Sequence, residues 1–204
     1  MWIMLLEINP ATPEPRKVQR AVEALRAGEI IAYPTDTVYG IGCDLFNKKA
    51  IDKLYQLKGL PRSRLLSFMC KDLAEVSHYA MLHDQVFRLI KRHLPGPFCF
   101  ILNSTREVPR IVQSSRKTVG IRVPDHPVTQ ALIQELGHPI INTTACRLSE
   151  SPNLDPSEID DEFPGLALVL DAGPGGVIPS SVVDLSHEQA VIIREGAGDL
   201  QHFR

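Results

Sequence analysis

The reading of the chain turns on EIIAYPTDTVYGIGCD, residues 29–44. Residues 30–33 arrive as an apolar run with the look of a buried strand, and then Thr35, Asp36 and Thr37 place two hydroxyls and a carboxylate between a proline and two glycines. Polar side chains just past a strand are what open α/β sheets use to collect ligands.

Upstream, Val18, Ala21, Val22 and Leu25 recur at helical spacing after Pro15, and Gly28 closes that helix into the strand. Downstream, a helix is predicted over 47–58, with Asn47 as N-cap and Ala50, Ile51, Leu54 and Leu57 as its apolar stripe. The local order is strand, loop, helix. Beyond it come an apolar run at 65–69, helical patterns at 72–79 and 84–93, and a strand at 98–102 after the break Pro95-Gly96-Pro97. Strands at 118–123 and 140–144 flank a helix at 126–136, strands at 166–170, 181–185 and 190–194 close the chain, and residues 1–6 read as a first strand. Helices interleaved with closely spaced apolar strands predict an α/β (α+β) fold, one domain over 1–204, with helices packed on a mixed sheet.

The bulk properties agree. A chain of 204 residues with 44% hydrophobic and 23% charged residues is globular in composition and long enough for one core. The N-terminal apolar run ends at Glu7 and Pro10, short of signal-peptide or membrane length, so no membrane association is expected. Cys43, Cys70, Cys99 and Cys146 lack the paired spacing of a zinc site or redox motif, which reads as reduced thiols in a cytoplasmic protein. The net charge of -2 conceals an asymmetry: residues 48–122 hold 15 Lys and Arg against 5 Asp and Glu, and residues 123–204 hold 3 against 13. Two readings stand. Basic and acidic elements pair across the fold, or the basic block forms a cationic face for phosphates or RNA. On the second reading Lys48, Lys49, Lys91, Arg92, Arg116 and Lys117 are the RNA-contact candidates.

Several chemistries are excluded. No G-x-x-x-x-G-K-[ST] loop, G-x-G-x-x-G fingerprint, H-E-x-x-H helix or G-x-S-x-G elbow occurs, and no metal ligand set is expected from protein side chains. What remains is a series of polar clusters at strand ends: Thr35-Asp36-Thr37, Lys58, Arg122, Asn142-Thr143-Thr144, Ser180-Ser181 and Arg194-Glu195-Gly196. An arginine inside a strand is costly to bury unless it meets an anion, so Arg122 faces either a ligand carboxylate or phosphate or one of Asp36, Asp44 and Asp184. The hydroxyls of Thr35, Thr37, Ser180 and Ser181 grip a small polar ligand or cap turns.

Seven segments, YPTDTVYGIGCD, LKGLPRSRLLSFM, PGPFCFIL, VGIRVPDHP, INTTA, PSSVVDL and IIREG, resemble in order those of the YrdC-type threonylcarbamoyl-adenylate synthases, over residues 15–198. The resemblance implies a twisted sheet with a concave basic surface, and a link to threonylcarbamoyl-adenylate made from L-threonine, bicarbonate and ATP for tRNA modification. It also implies double-stranded RNA or tRNA as a partner. Carried over, it puts Thr35, Thr37, Arg122 and Ser180 around a threonine-like amino acid, and Lys58, Arg62, Arg64, Thr144 and Arg194 around the nucleotide, with magnesium arriving on the triphosphate.

This chain departs from the family's K-x-R and S-x-N signatures. Leu60 stands in place of the arginine and Cys146 in place of the asparagine, with Thr144 for the serine and Arg62 or Arg64 as the replacement cation. These departures resemble the YciO branch. The leading expectation is a YciO-like protein that binds nucleotide and RNA, its adenylate chemistry weak or redirected and its catalytic residue unassigned. The alternatives are a full synthase, a non-catalytic RNA-binding module, and a hydrolase of the threonylcarbamoyl group on tRNA.

Overall fold

The alternation of side chains along each strand determines where the helices dock. The computed structural model describes residues 4–147 and 155–204. In chain order it runs β1 (Met4–Glu7), α1 (Pro15–Arg26), β2 (Ile31–Tyr33), β3 (Gly40–Asp44), α2 (Lys48–Leu57), β4 (Ser67–Met69), α3 (Leu73–Tyr79) and α4 (Asp84–Lys91). It continues with β5 (Phe98–Asn103), β6 (Thr118–Arg122), α5 (Pro127–Leu136), β7 (Ile140–Thr144), α6 (Pro156–Glu162), β8 (Leu168–Asp171), β9 (Ser181–Asp184) and β10 (Val191–Arg194). All ten strands form one mixed sheet in the order β1-β8-β2-β3-β7-β4-β6-β5-β9-β10. The pairs β1/β8, β2/β8, β4/β6 and β5/β9 are parallel and the others antiparallel.

Neighbouring residues in a strand point to opposite faces. Phe68, Phe100, Ile121, Ile141 and Val183 face one way, into a large core closed by Ala50, Ile51 and Leu54 of α2, Val76 and Tyr79 of α3, Ile90 of α4 and Ile159 of α6. Ile31, Tyr33, Met69, Ile140, Leu168 and Leu170 face the other way, into a smaller core closed by Val18, Val22 and Leu25 of α1 and Val128, Leu132 and Ile133 of α5. The smaller core takes no residue from β5, β6, β9 or β10. On that face, half of the sheet is left bare, and the concavity lies there.

The predicted mixed sheet with packed helices is present, with two differences in its parts. Gly40–Asp44, read from sequence as loop, is a central strand between β2 and β7. Its glycines disguise it, and they are there because space is short. A Cβ on Gly42 would lie 2.6 Å from the Ile141 carbonyl oxygen, and one on Gly40 would lie 2.3 Å from Asn142 Oδ1. Helix α6 was not expected either; it is only seven residues long. Helix α2 follows the sequence reading, with the Asn47 side chain accepting from the Ala50 N–H at 3.0 Å. The loop over 106–117 buries Val108 and packs Ile111 and Val112 on the larger core, the face opposite the bare one. Among the described residues, no helix is long and apolar enough to cross a membrane.

Because the atom facing Gly42 is backbone, the Gly42→Ala variant is expected to lose about 1–3 kcal/mol of stability. Urea unfolding monitored by far-UV circular dichroism reads this, and an unchanged midpoint would show that β3 is not packed as described.

Candidate functional site

The bare half-face forms a cavity of about 520 Å³. Alternate residues of five strands build its floor: Ser67 of β4, Cys99 and Ile101 of β5, Gly120 and Arg122 of β6, Asn142 and Thr144 of β7, and Val182 of β9. Ser63, Arg64, Leu65, Leu66, Thr143, Ser180, Ile193 and Arg194 complete the wall. Among the described residues, no aspartate, glutamate, lysine or histidine lines it.

Arg122 anchors the arrangement. It is 5% exposed, and its Nη2 donates to Asp36 Oδ1 at 2.8 Å and to Thr37 Oγ1 at 3.2 Å. Of the three aspartates open to it from sequence, it meets Asp36. The pair leaves Arg122 Nε and Asp36 Oδ2 buried with no hydrogen-bond partner among the described residues. Thr35 and Thr37 do not line the cavity; they stand behind the guanidinium. The Thr35 hydroxyl donates to the Val38 carbonyl at 2.7 Å and accepts from the Thr37 N–H at 3.1 Å, so it shapes the turn that carries Asp36. From α5, Thr129 Oγ1 donates to the Pro34 carbonyl at 2.5 Å and fixes the start of the same turn.

Arg194 approaches from the sheet edge. A register shift between Ile192 and Arg194 lets both Ile193 and Arg194 face the cavity. The guanidinium donates from Nε and Nη2 to the Ser180 carbonyl, at 3.0 and 2.8 Å, and from Nη2 to Ser180 Oγ at 3.2 Å. Burial pushes its pKa down from the usual value, and the Arg122 and Arg64 cations push the same way, against the Cys99 and Cys146 thiols. Arg64, Arg122 and Arg194 all line the cavity, and a bound anion there would offset the charge they share. Burial pushes the Cys99 thiol up, partly offset by Arg122 and Arg194, which keeps it protonated at neutral pH.

Arg64, Arg122, Thr144, Ser180 and Arg194 thus meet at one cavity. Two other sequence candidates are turned elsewhere. The Lys58 ammonium donates to the Thr144 carbonyl at 2.8 Å and to the Cys146 carbonyl, and lies 4.7 Å from the Phe163 ring centroid. Arg62 pairs with Asp52 and stacks over Tyr55 at 4.6 Å. Of the two arginines near the missing one, Arg64 is the one that lines the cavity. Lys48 and Lys49 lie on α2, and Lys91 and Arg92 at the end of α4, both helices of the opposite face. Arg116 and Lys117 are exposed just before β6, and none of these six lines the cavity. Among the described residues, no group of three or more His, Cys, Asp or Glu side chains could hold a metal ion.

Sequence reading names Asn142 only as part of the Asn142-Thr143-Thr144 cluster and gives it no role. It is 4% exposed, lines the floor, and accepts a hydrogen bond on Oδ1 from the Tyr33 hydroxyl at 2.7 Å. A polar residue at alternate spacing with Ile140 was the available signal; its partner 109 residues away was not visible.

Comparisons with known proteins follow the same lines. The family model Sua5_yciO_yrdC, described as "Telomere recombination", matches residues 23–196. YciO of Escherichia coli (strain K12) is 40% identical over 199 residues, 96% of this chain and 97% of that one. A crystal structure of E. coli YciO superposes with a TM-score of 0.95, covering 99% of this chain and 100% of that one, at 38% identity. The threonylcarbamoyl-AMP synthase of Bos taurus is 36% identical over 177 residues, 83% of this chain and 63% of that protein. P. abyssi Sua5 complexed with L-threonine has a TM-score of 0.88 at 26% identity, over 95% of this chain and 57% of that one.

Removing one partner of a buried ion pair strands the other. Asp36→Ala is accordingly expected to cost about 3–5 kcal/mol in chemical denaturation, and Asp36→Leu combined with Arg122→Met markedly less. Equal losses in the two variants would mean that the pair is not desolvated.

Proposed function

The chain belongs to the Sua5/YciO/YrdC family, whose members include threonylcarbamoyl-AMP synthases related to tRNA modification, and on that premise we propose that its cavity holds a threonylcarbamoyl-adenosine unit. The threonyl carboxylate sits on Arg122, backed by Thr35 and Thr37 and flanked by Ser180. The adenosine side, with any phosphate, extends along Arg64, Thr144 and Arg194. The observation that carries this reading is the convergence of Arg64, Arg122 and Arg194 on one cavity, with no acidic side chain among its described lining residues. Such a lining selects anions through charge-assisted hydrogen bonds.

Synthesis from ATP is slow in this reading. Cations stabilise the charge that develops as pyrophosphate leaves, yet Lys58 and Arg62 are engaged with backbone carbonyls and with Asp52, and Leu60 brings no charge. One missing charge-assisted phosphate contact costs on the order of 1.5–3 kcal/mol, roughly tenfold to hundredfold. Magnesium would have to arrive on the triphosphate oxygens, since the described lining residues offer no carboxylate to receive it. The same observation favours a second reading, hydrolysis of the threonylcarbamoyl group already on tRNA, which needs the amino-acid end of the pocket and no triphosphate. RNA enters through its phosphates at Arg64 and Arg194, so binding falls steeply as salt rises.

Two measurements test this. Incubation with ATP, L-threonine and bicarbonate is expected to release pyrophosphate at a rate near the buffer blank, and a rate matching a family synthase would overturn the slow-synthesis reading. Mass spectrometry of threonylcarbamoyl-modified tRNA after incubation is expected to show loss of the modified nucleoside with the wild type and at least about tenfold less with Arg122→Ala. An unchanged nucleoside profile with wild-type protein would remove the hydrolase reading.

A further inference from the structure

The Asn142 amide is held in one orientation by Tyr33, with Gly40 and Gly42 leaving room beside it. Tyr33 is wholly buried, and burial raises its pKa, so its hydroxyl keeps its proton. That proton needs an acceptor, and Asn142 Oδ1 at 2.7 Å is the one it has. The oxygen of the amide is therefore turned to Tyr33 and the NH2 is turned away from it. Gly40 and Gly42 make the room: side chains there would collide with Asn142 Oδ1 and approach the Tyr33 hydroxyl to 3.0 Å. The Nδ2 group has no hydrogen-bond partner among the described residues, in a side chain that is nearly fully buried and lines the cavity. Two N–H donors are thus aimed into the cavity with no described residue to receive them.

Register places these donors relative to Arg122. Asn142 lies opposite Ser67, and Ser67 lies opposite Gly120, two residues before Arg122 on β6. The floor between the amide and the guanidinium is a serine and a residue without a side chain, so a ligand anchored at Arg122 runs across Gly120 and Ser67 toward Asn142. The guanidinium and the amide NH2 at its two ends can only donate, and the Ser67 hydroxyl between them donates to the Asn142 backbone carbonyl at 3.4 Å. An amino acid with a free ammonium would bring a further cation and three more donors to this strip. When the nitrogen is carbamoylated it loses its charge and gains a carbonyl oxygen, an acceptor for the Asn142 NH2 group.

Resting on the assignment of the ligand carboxylate to Arg122, we propose that Asn142, oriented by Tyr33, donates to the carbonyl oxygen of an N-carbamoyl or N-acyl amino acid and makes the cavity prefer such ligands to the free amino acid. Asn142 is the specificity-determining residue and Tyr33 positions it. The polarity of the pair follows: replacing the donor removes the preference, and releasing the amide from Tyr33 blurs it.

Isothermal titration calorimetry with N-carbamoyl-L-threonine and L-threonine as probes tests this on the full chain. Wild-type protein is expected to bind the carbamoyl compound about tenfold more tightly or better, and Asn142→Asp, which replaces the donor with an acceptor, to reverse the order. The Tyr33→Phe, Asn142→Leu double variant removes both partners of the buried hydrogen bond, so no unsatisfied group is left to unfold it, and should bind the two probes within about twofold of each other. Tyr33→Phe alone is expected to fall between. Equal wild-type affinity for both probes, or a preference that survives in the double variant, overturns the role of Asn142 while leaving the Arg122 site standing. Arg122→Ala separates the two levels: if probe binding is unaffected by it, or if wild-type protein binds neither probe, the carboxylate assignment fails and the inference falls with it.

Discussion

A buried ion pair ties the turn after β2 to the end of β6 across three intervening strands. Asp36 and Arg122 are each costly inside a protein and are tolerable there only together. The turn that delivers Asp36 is held by its own hydroxyls and by Thr129 of α5, so the helix that closes the smaller core also sets the position of the charge beside the cavity. Packing and electrostatics meet in this one loop. The incomplete pairing it leaves, with Nε and Oδ2 unmatched, is a departure from ordinary burial that a structural salt bridge alone would not require.

Much of this was legible in the sequence because it depends on local pattern. Strand β7 and helix α2 follow from alternation, periodicity and a capping asparagine, and Arg122 stands out because a strand-centre cation is anomalous wherever it occurs. The family resemblance, seven segments in order, is matched by the family model over residues 23–196. What was not legible depends on the third dimension. Gly40 and Gly42 read as loop because their role is to yield space to Tyr33, Asn142 and Ile141, which only the register reveals. The resemblance puts Lys58 and Arg62 beside the nucleotide, but a motif match does not say which way a long side chain turns, and nearby carbonyls and Asp52 hold them. Asn142 was visible as a polar residue in a strand, and its meaning lay in a tyrosine 109 positions away.

The charge asymmetry divides in a similar way. A block with 15 basic and 5 acidic residues leaves open whether it forms one cationic face or pairs with acidic elements across the fold. Folding distributes it instead, because α2 and α4 pack on the larger core while β6 contributes Arg122 to the other side of the sheet. Arg194, from the acidic third of the chain, joins Arg122 and Arg64 at the cavity. Local positive potential at the concavity arises from three residues converging from different parts of the sequence, and the count along the chain is a poor guide to it.

The irregular register of β10 bears on colloidal behaviour as well as on Arg194. As the last strand of the sheet it offers an open row of backbone groups beside two exposed apolar side chains, Val191 and Ile193. Such an edge invites a second molecule to add its own strand. The extra residue between Ile192 and Arg194 breaks the even hydrogen-bond spacing that a visiting strand would need, so the same kink that re-aims a guanidinium guards the protein against sheet-to-sheet aggregation.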